Sequence, residues 1–223
     1  MRSLGLTAQI LLGVTLLVTI WYLVAAFGQI ELLQRMANDF DSVTFAEADR
    51  SGQRMLVATL FYDGCLIATG VVFIVWFYRM RKNAGIWSPP TQRRSQGWSI
   101  WGWVCPVVNF WFPYQIAQDG MAAARPYGGK PNDGLAVLRA WWVLWVVQVA
   151  LALVERVQTR QAVTVEQLLT SARIDLVGTV LAVGAGVLAI LVVRKITVLQ
   201  DRRLDWERSV GLAAPIVGPG FAH

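Results

Sequence analysis

From Ser3 to Ile30 the chain carries no charged residue. About 20 apolar residues are enough to cross the hydrocarbon core of a bilayer as a helix, so a run of this length reads as a membrane span. Four further stretches have the same character: Met55 to Tyr78, broken only by Asp63; Ser95 to Gln118; Ala140 to Val154, extended past Arg139 by Leu135 to Leu138; and Leu176 to Val193. The 223 residues are 56% hydrophobic and 15% charged, against about 25% charged in soluble domains. A water-soluble monomer could not hide that much apolar surface, and the chain reads as an integral membrane protein. The apolar part of a cleaved signal peptide would be about 7 to 15 residues behind a stronger positive start. Here Arg2 stands alone, and the first stretch is taken as an uncleaved span.

Lys and Arg decide how many stretches cross, because cytoplasmic loops are enriched in both. If Ser95 to Gln118 does not cross and the N-terminus is inside, fourteen basic residues are cytoplasmic: Arg2, the five from Arg79 to Arg94, Arg125, Lys130, Arg139, and the five from Arg194 to Arg208. Only Arg35, Arg50, Arg54, Arg156, Arg160 and Arg173 are then outside. Five spans would give nine inside against eleven outside. The expectation is therefore an all-α protein of the plasma membrane with both termini cytoplasmic. Its single membrane domain covers 1–212, with spans at about 8–30, 55–78, 135–154 and 175–194, a broken segment at 97–125 and a flexible tail at 213–223. Thr44 with Glu47, and Thr164 with Gln167, have capping-box spacing, so both external loops are expected to carry helix starts. A short amphipathic helix is expected ahead of the last span.

The segment from Trp76 to Asp119 departs most from plain membrane helix. Pro106 should break a helix, because proline lacks an N–H and clashes with the preceding turn, while Pro113 is well placed to open a new one. Broken backbone at membrane depth survives only where protein or water covers it. The segment is thus expected to be re-entrant or to lie in the cytoplasmic interface, with the Asn109 amide bonding backbone freed by Pro106. Eight of the 11 Trp (Trp76, Trp87, Trp98, Trp101, Trp103, Trp111, Trp141, Trp142) fall at the cytoplasmic end of this scheme. An aromatic belt at headgroup level is the plainer reading. The sharper one is a pocket for a lipid, quinone or other flat ligand, opening beside Trp101, Trp103 and Trp111 with Asn109, Tyr114 and Asp119.

At these residues the sequence resembles a known family. The run from Gly97-Trp98 through Trp103, Pro106, Asn109, Trp111, Pro113 and Asp119, preceded by Arg79 and Asn83, is similar to the bacterial, largely actinobacterial, membrane family known as domain of unknown function 4328. The resemblance implies a polytopic membrane protein. It supplies no activity, cofactor or catalytic residue. Members often carry a Trp soon after the acidic position, where this chain has Gly120-Met121.

Asp63 is the one acid inside a span, where an unpaired carboxylate costs several kcal/mol unless watered. It is a candidate cation or proton site, or a helix-helix hydrogen bond. Gln148 reads as interhelical glue. Gly178, Ala182 and Gly186 form a small-residue face suited to close helix approach, within the chain or with another copy. Beyond Arg194 a stripe of Ile196, Leu199, Trp206 and Val210 suits a partner helix or the membrane surface. Arg79, Arg81, Lys82, Arg93 and Arg94 would attract anionic headgroups. Nucleic acid is not an expected partner, because no binding fold accompanies the charge of +6.

The single histidine, His223, gives His-ligated metals and Ser-His-Asp chemistry nothing to work with. No metal or other cofactor is expected. An enzyme would have to use Asp63, Asp119, Asn109 or Tyr114. Two readings of function stand: a non-catalytic membrane interaction protein, such as an accessory subunit, scaffold or regulator, and a ligand-binding or transport protein whose site joins the broken segment and Asp63.

Overall fold

The computed structural model describes residues 2–125 and 134–211. Lys130 and the tail expected at 213–223 lie outside the described residues. Six helices account for most of the rest: α1 (Arg2–Asn38), α2 (Phe45–Trp87), α3 (Trp98–Val104), α4 (Phe112–Ala123), α5 (Leu135–Gln161) and α6 (Val165–Ser209). Four of them, α1, α2, α5 and α6, are long and apolar enough to cross a membrane. The stretch from Ser95 to Gln118 is instead divided between α3 and α4, so it does not form a fifth span.

The helices outrun the expected spans. At about 1.5 Å per residue, the 43 residues of α2 and the 45 of α6 extend well beyond a hydrocarbon core of about 30 Å. The links at one end are correspondingly short. Thr44 and Thr164 cap α2 and α6 with the complete capping boxes that their spacing implies. Thr44 donates to and accepts from Glu47, and these bonds hold the Glu47 carboxyl below its ordinary range. No separate helix precedes the last span, because α6 itself begins at Val165.

The long helices stand in the order α5, α6, α1, α2, each packed on the next. Small residues set the spacing. A Cβ on Gly186 would lie 2.7 Å from Leu16 Cδ2, and one on Gly178 would lie 3.6 Å from Leu151 Cβ. The face formed by Gly178, Ala182 and Gly186 is thus turned toward α1 and α5 of the same chain. Outward, large apolar side chains such as Leu17, Val24 and Ile67 are more than half exposed, as lipid-facing positions require.

The short helices α3 and α4 fold back at the end of the bundle formed by the start of α1 and the end of α6, its terminal end, where α4 packs on α2, α5 and α6. This terminal end holds the main core, including Trp76, Met80, Ile116, Met121, Leu138 and Ile196. A side chain at position 120 would collide with Met80, which is why helix α4 approaches α2 through Gly120. Polar ties run across the same level: Gln200 Nε2 donates to the Met80 carbonyl, Asn83 Nδ2 to Gln200 Oε1, and Trp76 Nε1 to Thr197 Oγ1. The stripe beyond Arg194 is used here too, with Ile196 and Leu199 buried inside the chain.

Candidate functional site

Among the described residues α2 and α5, at the two edges of the row, are bridged by side chains more than packed backbone to backbone; the Phe73 and Trp141 rings are 6.1 Å apart. Small residues along the facing helices, among them Gly70, Ala182, Ala185 and Ala189, leave the middle of the bundle unfilled. The result is a cavity of about 260 Å³ lined by all four long helices and by Trp103 of α3. Trp103 closes its terminal end. Its ring lies 5.4 Å from Phe73, 5.5 Å from Phe77 and 5.7 Å from Trp145, mostly edge to face.

The wall of this inner chamber is mostly apolar, and its threonine hydroxyls are already used, whereas the Tyr62 hydroxyl and the buried Trp103 Nε1 have no partner among the described residues. Thr15 and Thr69 share a hydrogen bond of 2.7 Å, and Thr19 donates to the Thr15 carbonyl. Gln148 differs. Its amide lines the chamber and makes no hydrogen bond among the described residues, so the interhelical bond expected for it is not formed.

Toward the other end lies an adjacent outer chamber of about 590 Å³ that shares Tyr62, Leu66, Trp145, Gln148 and Ala182 with the first. Leu66, at the boundary between them, is 48% exposed. The rim is charged, with Asp63, Glu155 and Asp175 against Arg156. Tyr22 donates its hydroxyl to Asp175 at 2.9 Å, Thr159 donates to Glu155, and the rings of Tyr22 and Tyr62 lie 5.5 Å apart. Asp63 is exposed at this rim with no hydrogen bond or ion pair among the described residues, so the helix-helix hydrogen bond considered for it is not formed.

The broken segment forms a second constellation, with the break where proline chemistry places it. Helix α3 ends at Val104, Val108–Phe110 is a 3-10 turn, and α4 opens with Pro113 in its first turn. Asn109 does not heal the break. Its Oδ1 is buried without a partner, and the Phe110 carbonyl accepts instead from Trp142 Nε1 of α5 at 3.1 Å. An indole from another helix reaches the carbonyl, which a local amide rule cannot anticipate.

Asp119 is buried in α4 and takes Arg93 in a fork, with Nε at 2.9 Å, Nη2 at 2.8 Å and the Arg93 backbone N–H at 3.1 Å. Arg93 also donates to Gln118 Oε1; Arg94 donates to Gln115 Oε1 and lies 3.9 Å over the Phe112 ring. Arg81 is buried and donates to the Arg94 carbonyl; burial lowers its pKa, with Asp119 opposing the shift. Three of the five basic residues therefore clasp the segment to α2 and α4. Arg79 and Lys82 are left exposed.

Of the pocket expected beside Trp101, Trp103 and Trp111, only Trp103 faces the cavity. Trp101 is 61% exposed and Trp111 is 42% exposed on the outer surface, and Tyr114 lies against Trp142 outside the chamber. Asp119 and Asn109 line neither chamber, so the structure joins Asp63 to the broken segment through Trp103 alone. The aromatic belt divides likewise: Trp101 and Trp111 suit one, whereas Trp141 and Trp142 are buried against Trp103 of α3 and the α3–α4 segment, and Trp76 is buried in the main core with its indole on Thr197 of α6. Sequence reasoning missed Tyr22, Tyr62, Glu155 and Asp175. Glu155 and Asp175 sit at span boundaries, Tyr62 adjoins Asp63 and Tyr22 lies within the first span; only the packing of α1, α2, α5 and α6 brings them together.

Residues 39–198 match the family model described as Domain of unknown function (DUF4328). The chain belongs to this family. The match takes in α2 to α5 and most of α6, so both chambers and the Arg93–Asp119 clasp fall mainly within the family region. No curated protein and no solved structure matches the chain.

Proposed function

We propose that this DUF4328 protein is a non-catalytic membrane protein that holds a lipid-like ligand between its four long helices. The observation that carries this reading is the pair of adjacent chambers with five lining residues in common, mostly apolar and aromatic within and charged at the rim. Sites of about 300 to 1,000 Å³ with mostly apolar walls and a few convergent polar groups are typical of small-molecule binding. The accessory or scaffold reading has less support, since the small-residue face and the first part of the stripe beyond Arg194, Ile196 and Leu199, are engaged within the chain, while Val210 remains exposed.

Gly70 supplies the test. It lines the inner chamber, and a Cβ built there meets nothing within 4 Å, so a side chain can start from this position into open space. Protein purified in mild detergent should carry an amphiphile in native mass spectra, and Gly70→Phe should be folded and free of it. A wild-type protein without bound mass, or equal retention by Gly70→Phe, would overturn the proposal.

The terminal end is read as cytoplasmic in the plasma membrane, on the strength of the Lys/Arg balance. The α3–α4 segment is read as a cap at that interface, with Trp101 and Trp111 at headgroup level and Arg79 and Lys82 toward anionic lipid. In a background with Cys65 and Cys105 replaced by alanine, cysteines at Asp41 and Thr164 should react with an impermeant thiol reagent on intact cells. One at Pro90 should stay protected. The reverse pattern would invert the orientation.

A further inference from the structure

Resting on the ligand-holding reading, we infer that the ligand is a membrane amphiphile with a cationic head, seated with its head among Asp63, Glu155 and Asp175 and its chain against Trp103. The rim sets three carboxylates against one guanidinium, and Arg156 is itself exposed at the edge. Asp63 has no hydrogen bond or ion pair among the described residues, so its charge is available to a ligand. The Tyr22 and Tyr62 rings beside it offer π-faces that favour an ammonium over an anion.

The depth fits a chain below that head. From Asp63 to Phe73 along α2 is about 15 Å at 1.5 Å per residue, and the wall over that distance is apolar apart from the paired threonines, Gln148, the Tyr62 hydroxyl and the Trp103 indole N–H. The unpartnered Gln148 amide lies in the stretch shared by both chambers, where it can meet a polar linkage between head and chain. Exposure of Leu66 between α2 and α5 gives a chain a sideways route from the bilayer. A soluble organic cation would use the rim and leave the aromatic floor empty.

The test uses the full chain in nanodiscs of zwitterionic lipid and compares equilibrium binding of radiolabelled dodecyltrimethylammonium, dodecyl sulfate and dodecyl maltoside, with tetramethylammonium as competitor. The cationic amphiphile should bind at least about tenfold more tightly than the sulfate of the same chain, and the preference should shrink with salt. Asp63→Asn combined with Asp175→Asn should bring the ratio close to one. Should that pair prove unstable, Asp63→Asn alone should lower the preference. Gly70→Phe should abolish saturable binding of all three. If neutral or anionic chains bind as tightly as the cation and Gly70→Phe still abolishes binding, the cavity reading stands and the cationic assignment falls. If tetramethylammonium competes as well as the amphiphile, the chain plays no part and the inference is overturned. If nothing binds saturably, the ligand-holding reading fails with it.

Discussion

Trp76→Ala is expected to destabilise the protein by about 3–5 kcal/mol, the usual cost of deleting a buried tryptophan. Trp76 is fully buried on α2, within a ring cluster that includes Phe73 and Phe77, and its indole N–H is bonded to Thr197 of α6. Alanine would leave a cavity where α2 meets α6 and strip the Thr197 hydroxyl of its donor. Trp76→Phe keeps most of the volume and loses only the hydrogen bond, so about 1 kcal/mol is expected. Denaturant titration in detergent, followed by circular dichroism, reads both. A loss below about 1 kcal/mol for alanine would place Trp76 in a lipid-facing belt, where a neighbouring acyl chain fills the gap.

Arg93→Ala is expected to cost about 2 kcal/mol, and Asp119 determines the size. Breaking a fully buried ion pair costs about 3–5 kcal/mol because the surviving charge has lost its partner. Here the Asp119 side chain is 9% exposed but that of Arg93 is 48% exposed, so water can reach the pair from one side and the cost is reduced. The converse change, Asp119→Ala, should be milder at about 1 kcal/mol, since the guanidinium stays half in solvent and keeps Gln118 Oε1. The double variant should be more stable than Arg93→Ala alone, because no stranded carboxylate remains. Unfolding midpoints of the three variants check the order. If Arg93→Ala is neutral and instead releases anionic lipid, Arg93 serves headgroups and the clasp is incidental.

Both residues show where local reading stops. Arg93 stood in the sequence as one of five cations suited to a membrane surface, and Asp119 as a candidate site residue. They stand 26 positions apart with the proline break between them, and the fork exists only because the chain reverses there. Charge and composition describe what a side chain can do; they do not tell which partner is brought within 3 Å of it.

The four spans, the break at Pro106, the opening of α4 at Pro113 and the two capping boxes were all legible in the residues. Each depends on forces acting within a few turns of chain: transfer of apolar side chains into lipid, the missing proline N–H, and a hydroxyl beside its own helix start. The cavity was not legible. Its walls are small residues and used-up threonines that read as ordinary span, and its rim joins Asp63, Glu155 and Asp175 from three helices. Burial of Trp76, Trp141 and Trp142 was hidden for the same reason, because an interfacial tryptophan and a core tryptophan look alike in sequence. Helix order and the fold-back of α3 and α4 decided between them, since those contacts join residues far apart in the chain, where local periodicity carries no information about distance.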